Sequence, residues 1–75
     1  MTQYVQLNSK KEWTDFVKLA WQFDSDIGVH TDETMLDAKD MQEILSLDCK
    51  KPVRVVTEDK RFMQAIRSWA VKQPA

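Results

Sequence analysis

The chain has 75 residues, 43% hydrophobic and 31% charged, with 11 basic and 12 acidic side chains and a formal net charge of -1. That length fits a single domain over residues 1–75 with one modest core, and the composition is that of a folding chain rather than a disordered one. With both signs mixed along the chain there is no field to gather phosphates, which argues against nucleic acid, and no apolar run approaches the roughly 20 residues of a membrane span.

Tyr4-Val5-Gln6-Leu7 alternates in polarity and reads as a short strand with Val5 and Leu7 inward. From Lys10 to Phe23 the period changes. Trp13, Phe16, Val17, Leu19, Ala20 and Trp21 follow three-and-four spacing, and Ser9 with Glu12 forms a capping box, so a helix is expected. Ile27 and Val29 alternate with Asp26, Gly28 and His30 in a second strand with one apolar face. Thr31-Asp32-Glu33 reads as a turn and Thr34-Met35-Leu36 as a third strand, completing a hairpin.

Asp40-Met41-Gln42-Glu43 repeats the capping signature and predicts a short helix to about Leu47. Val53-Arg54-Val55-Val56, after Pro52, reads as a fourth strand ended by Thr57 and Asp59. Phe62, Ala65, Ile66, Trp69 and Ala70 form the apolar stripe of a last helix, with Pro74 just beyond it. The expected order is β-α-β-β-α-β-α: an α+β fold with a four-stranded antiparallel sheet covered by three helices on one face. The single glycine, Gly28, excludes glycine-rich phosphate-cradling loops. The lone Cys49 forms no internal disulfide, and MTQYVQL has neither the basic start nor the apolar core of a signal peptide. A cytoplasmic location is expected.

Four blocks, Phe16-Val17-Lys18-Leu19-Ala20, Phe23-Asp24-Ser25-Asp26-Ile27, Ala38-Lys39-Asp40 and Ile44-Leu45-Ser46-Leu47, resemble the histidine-containing phosphocarrier protein HPr of the bacterial sugar phosphotransferase system in order and spacing. The resemblance covers nearly the whole chain and implies the HPr-like open-faced β-sandwich. In that family a histidine before the first helix, in a Gly-Ile/Leu-His-Ala/Thr-Arg-Pro motif, accepts phosphate. Here its position falls on Ser9, the motif's arginine becomes Lys11 and its proline Glu12. A serine that the family uses for regulatory phosphorylation corresponds to Asp40, and Glu43 and Asp48 replace glycines around the second helix. The family's docking surface maps onto Lys10, Lys11, Thr14, Met41, Leu45 and Leu47. The resemblance therefore implies a non-catalytic regulatory or protein-binding domain without cofactor or metal, the alternative being a divergent phosphocarrier using His30 or Ser9.

Several residues carry two readings. Ser9 is a helix cap or a phosphorylated remnant of the active position, and Asp40 is a plain N-cap or a partial mimic of phosphoserine. His30, in Gly28-Val29-His30-Thr31, is a strand histidine on the polar face or a phosphoryl acceptor. No helix or Arg-Pro follows it. Cys49, flanked by Lys50 and Lys51, is an inert thiol or one of lowered pKa. The carboxylates Asp24, Asp26, Asp32, Glu33 and Asp37 fit no calcium loop and read as a solvated face. Trp13, Trp21 and Trp69 are core residues or part of a protein interface.

Overall fold

The computed structural model describes residues 1–47 and 51–72. Cys49, Asp48 and Pro74 lie outside the described residues. The elements are β1 (Thr2–Val5), α1 (Lys10–Trp21), β2 (Gly28–His30), β3 (Met35–Asp37), α2 (Met41–Leu45), β4 (Val53–Val56) and α3 (Lys60–Ala65), followed by a 3-10 turn at Arg67–Trp69. The sheet runs β1-β4-β2-β3 and every neighbouring pair is antiparallel. β1 and β2 are therefore parallel to each other with β4 inserted between them, and α1 makes the long connection that this arrangement requires.

Alternation along the strands separates the two faces of the sheet. Val5, Val29, Val53 and Val55 turn to the helix side and are buried, together with Trp13, Phe16, Val17 and Ala20 of α1, Ile44 of α2, and Phe62 and Met63 of α3. Phe62 holds the centre. Its ring meets Phe16 edge-on at 5.7 Å and Phe23 at 5.3 Å, and Phe16 in turn meets Trp13 at 5.1 Å. These T-shaped contacts join α1 to α3 with geometry as well as buried area. On the other face, one row across the sheet reads Tyr4, Arg54, His30 and Met35.

Each helix begins on a polar cap. Ser9 Oγ accepts the Glu12 amide at 3.1 Å, Asp40 Oδ1 accepts the Glu43 amide at 3.1 Å, and Asp59 Oδ1 accepts the amides of Arg61 at 2.9 Å and Phe62 at 3.3 Å. Neither expected capping box closes in full. Glu12 gives its carboxylate to Trp69 instead, and the Asp40 amide already donates to Asp37 O at 3.0 Å. The Asp59 cap, at a residue that sequence reading assigned only to the end of β4, also receives the Ser25 hydroxyl from the loop after α1.

Several element boundaries move: α1 ends at Trp21 rather than Phe23, β3 is Met35–Asp37 rather than Thr34–Leu36, and α2 ends at Leu45 rather than about Leu47. The first strand is Thr2–Val5 rather than Tyr4–Leu7, although Val5 and Leu7 are both buried as expected. The chain leaves the ladder there because Gln6 N–H donates to Trp69 O at 3.0 Å. The last helix stops at Ala65 and tightens into the 3-10 turn, after which Ala70 bridges Val5 and Val71 N–H donates to Tyr4 O at 2.9 Å. A continuous helix would carry residues 69–71 away from β1, and these three contacts would be lost.

Phe62→Ala is expected to cost about 3–5 kcal/mol in chemical denaturation, since it empties the meeting point of three rings; a loss under about 1 kcal/mol would show that the core closes without it. The Ser25 hydroxyl is the main cause holding the Asp59 carboxyl below its ordinary value of 3.8, helped by the Phe62 and Arg61 amides and opposed by partial burial. A depressed carboxyl stabilises the fold above its unfolded pKa and loses that contribution as pH falls through the folded one. Asp59→Asn should therefore be less stable than the parent near neutrality. The two should converge in acid-unfolding curves followed below the ordinary aspartate range, and a difference independent of pH would contradict this role.

Candidate functional site

The position matched to the phosphocarrier histidine stands at the start of α1. Ser9 has the extended backbone of an N-cap, with φ -154° and ψ 162°, and its hydroxyl oxygen is engaged by the Glu12 amide. Glu12 lies in the first turn, where the helix macrodipole favours a negative group. Its carboxylate accepts the Trp69 indole N–H at 3.0 Å, so the chain's last turn is fastened against this corner. Lys10 and Lys11 are exposed. Lys11 pairs with Asp15 one turn on, at 3.3 Å, and Thr14 Oγ1 donates to Lys10 O at 2.9 Å.

α2 packs beside α1, the two helices onto which most of the expected docking residues map. Met41, Leu45 and Leu47 are half-buried and rest against the core, which leaves part of each side chain open. Asp40 sits at the α2 N-terminus among like charges. Burial, then the charge and hydrogen bond of Asp40, then Asp37, push the Glu43 carboxyl above its ordinary 4.5. This corner is electrostatically unlike the start of α1.

The tryptophans divide three ways. Trp13 is 1% exposed, and its indole N–H has no partner among the described residues. Trp21 is 55% exposed but is not loose: it donates to Lys39 O at 2.8 Å, while Lys39 Nζ donates to Phe23 O at 2.6 Å. Trp69 is half-buried against Phe16, at 6.0 Å. Sequence spacing could not separate them, because all three occupy helical periods.

His30 is placed far from this corner in the fold, on the open face of β2. Arg54 Nη2 lies 3.2 Å from its Nδ1. A guanidinium has no acceptor, so Nδ1 must accept and the ring proton resides on Nε2. A Cβ on Gly28 would lie 3.1 Å from that Nε2, while the glycine's own φ is not positive. Gly28 is therefore the seat of the imidazole rather than a turn residue. The groove at the hairpin end, about 890 Å³, is lined by Tyr4, His30, Arg54 and Lys51 among others, and includes neither Ser9 nor Lys11. Among the described residues, no three His, Cys, Asp or Glu side chains are grouped to hold a metal ion. No helix among them is long and apolar enough to cross a membrane.

No protein-family profile matches the chain, and no curated protein matches it. Solved structures do. The phosphocarrier protein HPr from Bacillus anthracis str. Ames superposes with a TM-score of 0.75 at 21% identity, covering 95% of this chain and 96% of that one. HPr-C-His from Thermoanaerobacter tengcongensis gives 0.76 at 22% identity, covering 91% and 88%. The Bacillus subtilis catabolite repression protein Crh, a domain-swapped intertwined dimer, gives 0.60 at 21% identity over 85% and 75%. At these identities the likeness establishes architecture, and the architecture of this chain is the HPr fold.

Proposed function

We propose that this chain is an HPr-like protein-binding domain of the bacterial cytoplasm that carries no phosphoryl group at the start of its first helix. The observation that supports this reading best is the corner around Ser9, where a capping hydroxyl stands in place of the imidazole, Lys11 in place of the guanidinium, and a carboxylate held by Trp69 in place of the proline. A phosphoryl acceptor needs a free lone pair beside positive groups. Among the described residues no hydrogen bond joins the Ser9 hydroxyl to a basic side chain, and the nearest carboxylate in sequence, Glu12, is turned to the Trp69 indole. Glu12 also adds fixed negative charge where an incoming phosphate would need amides.

His30 is no substitute. Its Nδ1 lone pair is directed at Arg54 and its Nε2 carries the proton, so neither nitrogen can attack phosphorus without first breaking the Arg54 contact. The surface formed by Lys10, Lys11, Thr14, Met41, Leu45 and Leu47 combines cations with half-open apolar side chains, which suits a protein interface. Asp40 gives that surface a permanent charge of about one unit, against the -1.5 to -2 of a phosphoserine, so it imitates the phosphorylated state only in part.

Incubation with phosphoenolpyruvate and the upstream enzyme of the sugar phosphotransferase system should leave the chain without acid-labile phosphate. Phosphate on His30 or Ser9 would establish the phosphocarrier alternative and sink this reading. For a partner crosslinked in the native host, Lys11→Glu should weaken binding about tenfold while moving stability by no more than about 0.5 kcal/mol, because Lys11 is 86% exposed. Equal affinity of the variant would place the interface elsewhere.

A further inference from the structure

The two edges of the sheet are treated differently. Along β1 the chain seals its own edge: Gln6 N–H donates to Trp69 O, Ala70 bridges Val5, and Val71 N–H donates to Tyr4 O. Along β3 nothing comparable occurs. Ala38 N–H donates to Ile27 O and Thr31 N–H to Thr34 O. By the alternation of an antiparallel ladder, Met35 and Asp37 then turn their backbone groups away from β2. Asp37 O is used by the Asp40 amide, which leaves Met35 N–H, Met35 C=O and Asp37 N–H facing outward. Among the described residues no backbone group pairs with them. The Met35 side chain is 72% exposed beside them.

Charge is sorted along the sequence as well. Residues 24–43, which build β2, β3 and the start of α2, hold seven acidic side chains against one lysine. That lysine, Lys39, is spent on Phe23 O. Residues 60–72, which build α3 and the strip beside β1, hold four basic side chains and no acidic one. The near-neutral total therefore conceals an acidic run around the β2–β3 hairpin, with Lys51 and Arg54 as the cations lining the groove beside Asp32 and Glu33.

An unpaired edge flanked by Asp32, Glu33 and Asp37 repels a second copy of itself, because two β3 strands side by side would bring these carboxylates together. The same carboxylates attract a strand that carries the opposite sign. The geometry points to β3 as a docking edge for an extended, lysine- or arginine-rich segment of a partner protein, which adds a fifth strand by backbone pairing and sets its cations against Asp32, Glu33 and Asp37. This edge adjoins the surface on α1 and α2 at Leu47, which lines the same groove as Asp32 and Glu33.

The probe is an acetylated, amidated peptide alternating Lys and Val, titrated into the isotope-labelled full chain, with the matching Glu and Val peptide as control. The Lys peptide is expected to shift the Met35 and Asp37 amides saturably, and its affinity should fall as salt rises from about 0.1 M to about 1 M. Glu33→Lys should weaken it about tenfold, since the substitution reverses one of the charges that face the peptide's cations. Met35→Pro, tolerated on an edge strand, should abolish the amide shifts. Should that variant fail to fold, Glu33→Lys decides alone. The proposal is overturned if the Glu peptide binds equally, if the shifts fall elsewhere, if Glu33→Lys or a folded Met35→Pro variant binds as the parent does, or if neither peptide binds. In the last case the carboxylates serve only to keep the edge from aggregating.

Discussion

One hydrogen bond, from the Trp69 indole to the Glu12 carboxylate, fixes the relation between the two ends of the described chain. Because Trp69 sits in a 3-10 turn rather than on a continuing helix, its carbonyl reaches Gln6 and the following residues reach Val5 and Tyr4. The same turn closes part of the β1 edge, covers part of Phe16, and brings an indole N–H to the carboxylate in the first turn of α1. Removal of that bond would leave Glu12 free, and the start of α1 would then be an ordinary solvent-exposed helix end. The functional character of that corner therefore depends on a residue 57 positions away in sequence.

The fold was legible because its apolar periods are clean. Val5 and Leu7 alternate, Trp13, Phe16, Val17 and Ala20 step at helical spacing, and the run from Val53 to Val56 is strongly β-favouring, so each element announced its type and its buried face. The end of α3 was not legible. Ile66, Trp69 and Ala70 continue a 3.6-residue stripe as readily as they form a tightened turn, and the choice rests on bonds to Gln6 and Tyr4 that lie outside any local window. The Asp59 cap was hidden for a related reason, since its strongest partner is Ser25 on another loop.

At the candidate site, sequence located Ser9 and Asp40 on helix caps, where the structure finds them. It could not show that Glu12 is bound by Trp69, nor that His30 is held by Arg54 over Gly28. The one available signal was the glycine itself: a lone glycine inside a strand, two residues before a histidine on the same face, marks a side chain that needs room. Charge was misleading in a different way. Summed over the chain it nearly cancels, yet residues 24–43 hold seven acidic side chains against one lysine and residues 60–72 hold four basic side chains and no acidic one.

The central claim is that the start of α1, capped by the Ser9 hydroxyl and carrying a carboxylate bonded to Trp69, does not take up a phosphoryl group. It is tested most directly by titrating inorganic phosphate into the labelled protein while following the Lys10, Lys11 and Glu12 amides and the Trp69 indole N–H. Such a corner predicts small, non-saturating drift with the indole resonance unmoved. Saturable shifts of those amides together with displacement of the indole signal would mean that an oxyanion enters and expels Glu12 from its bond, and the account would be wrong.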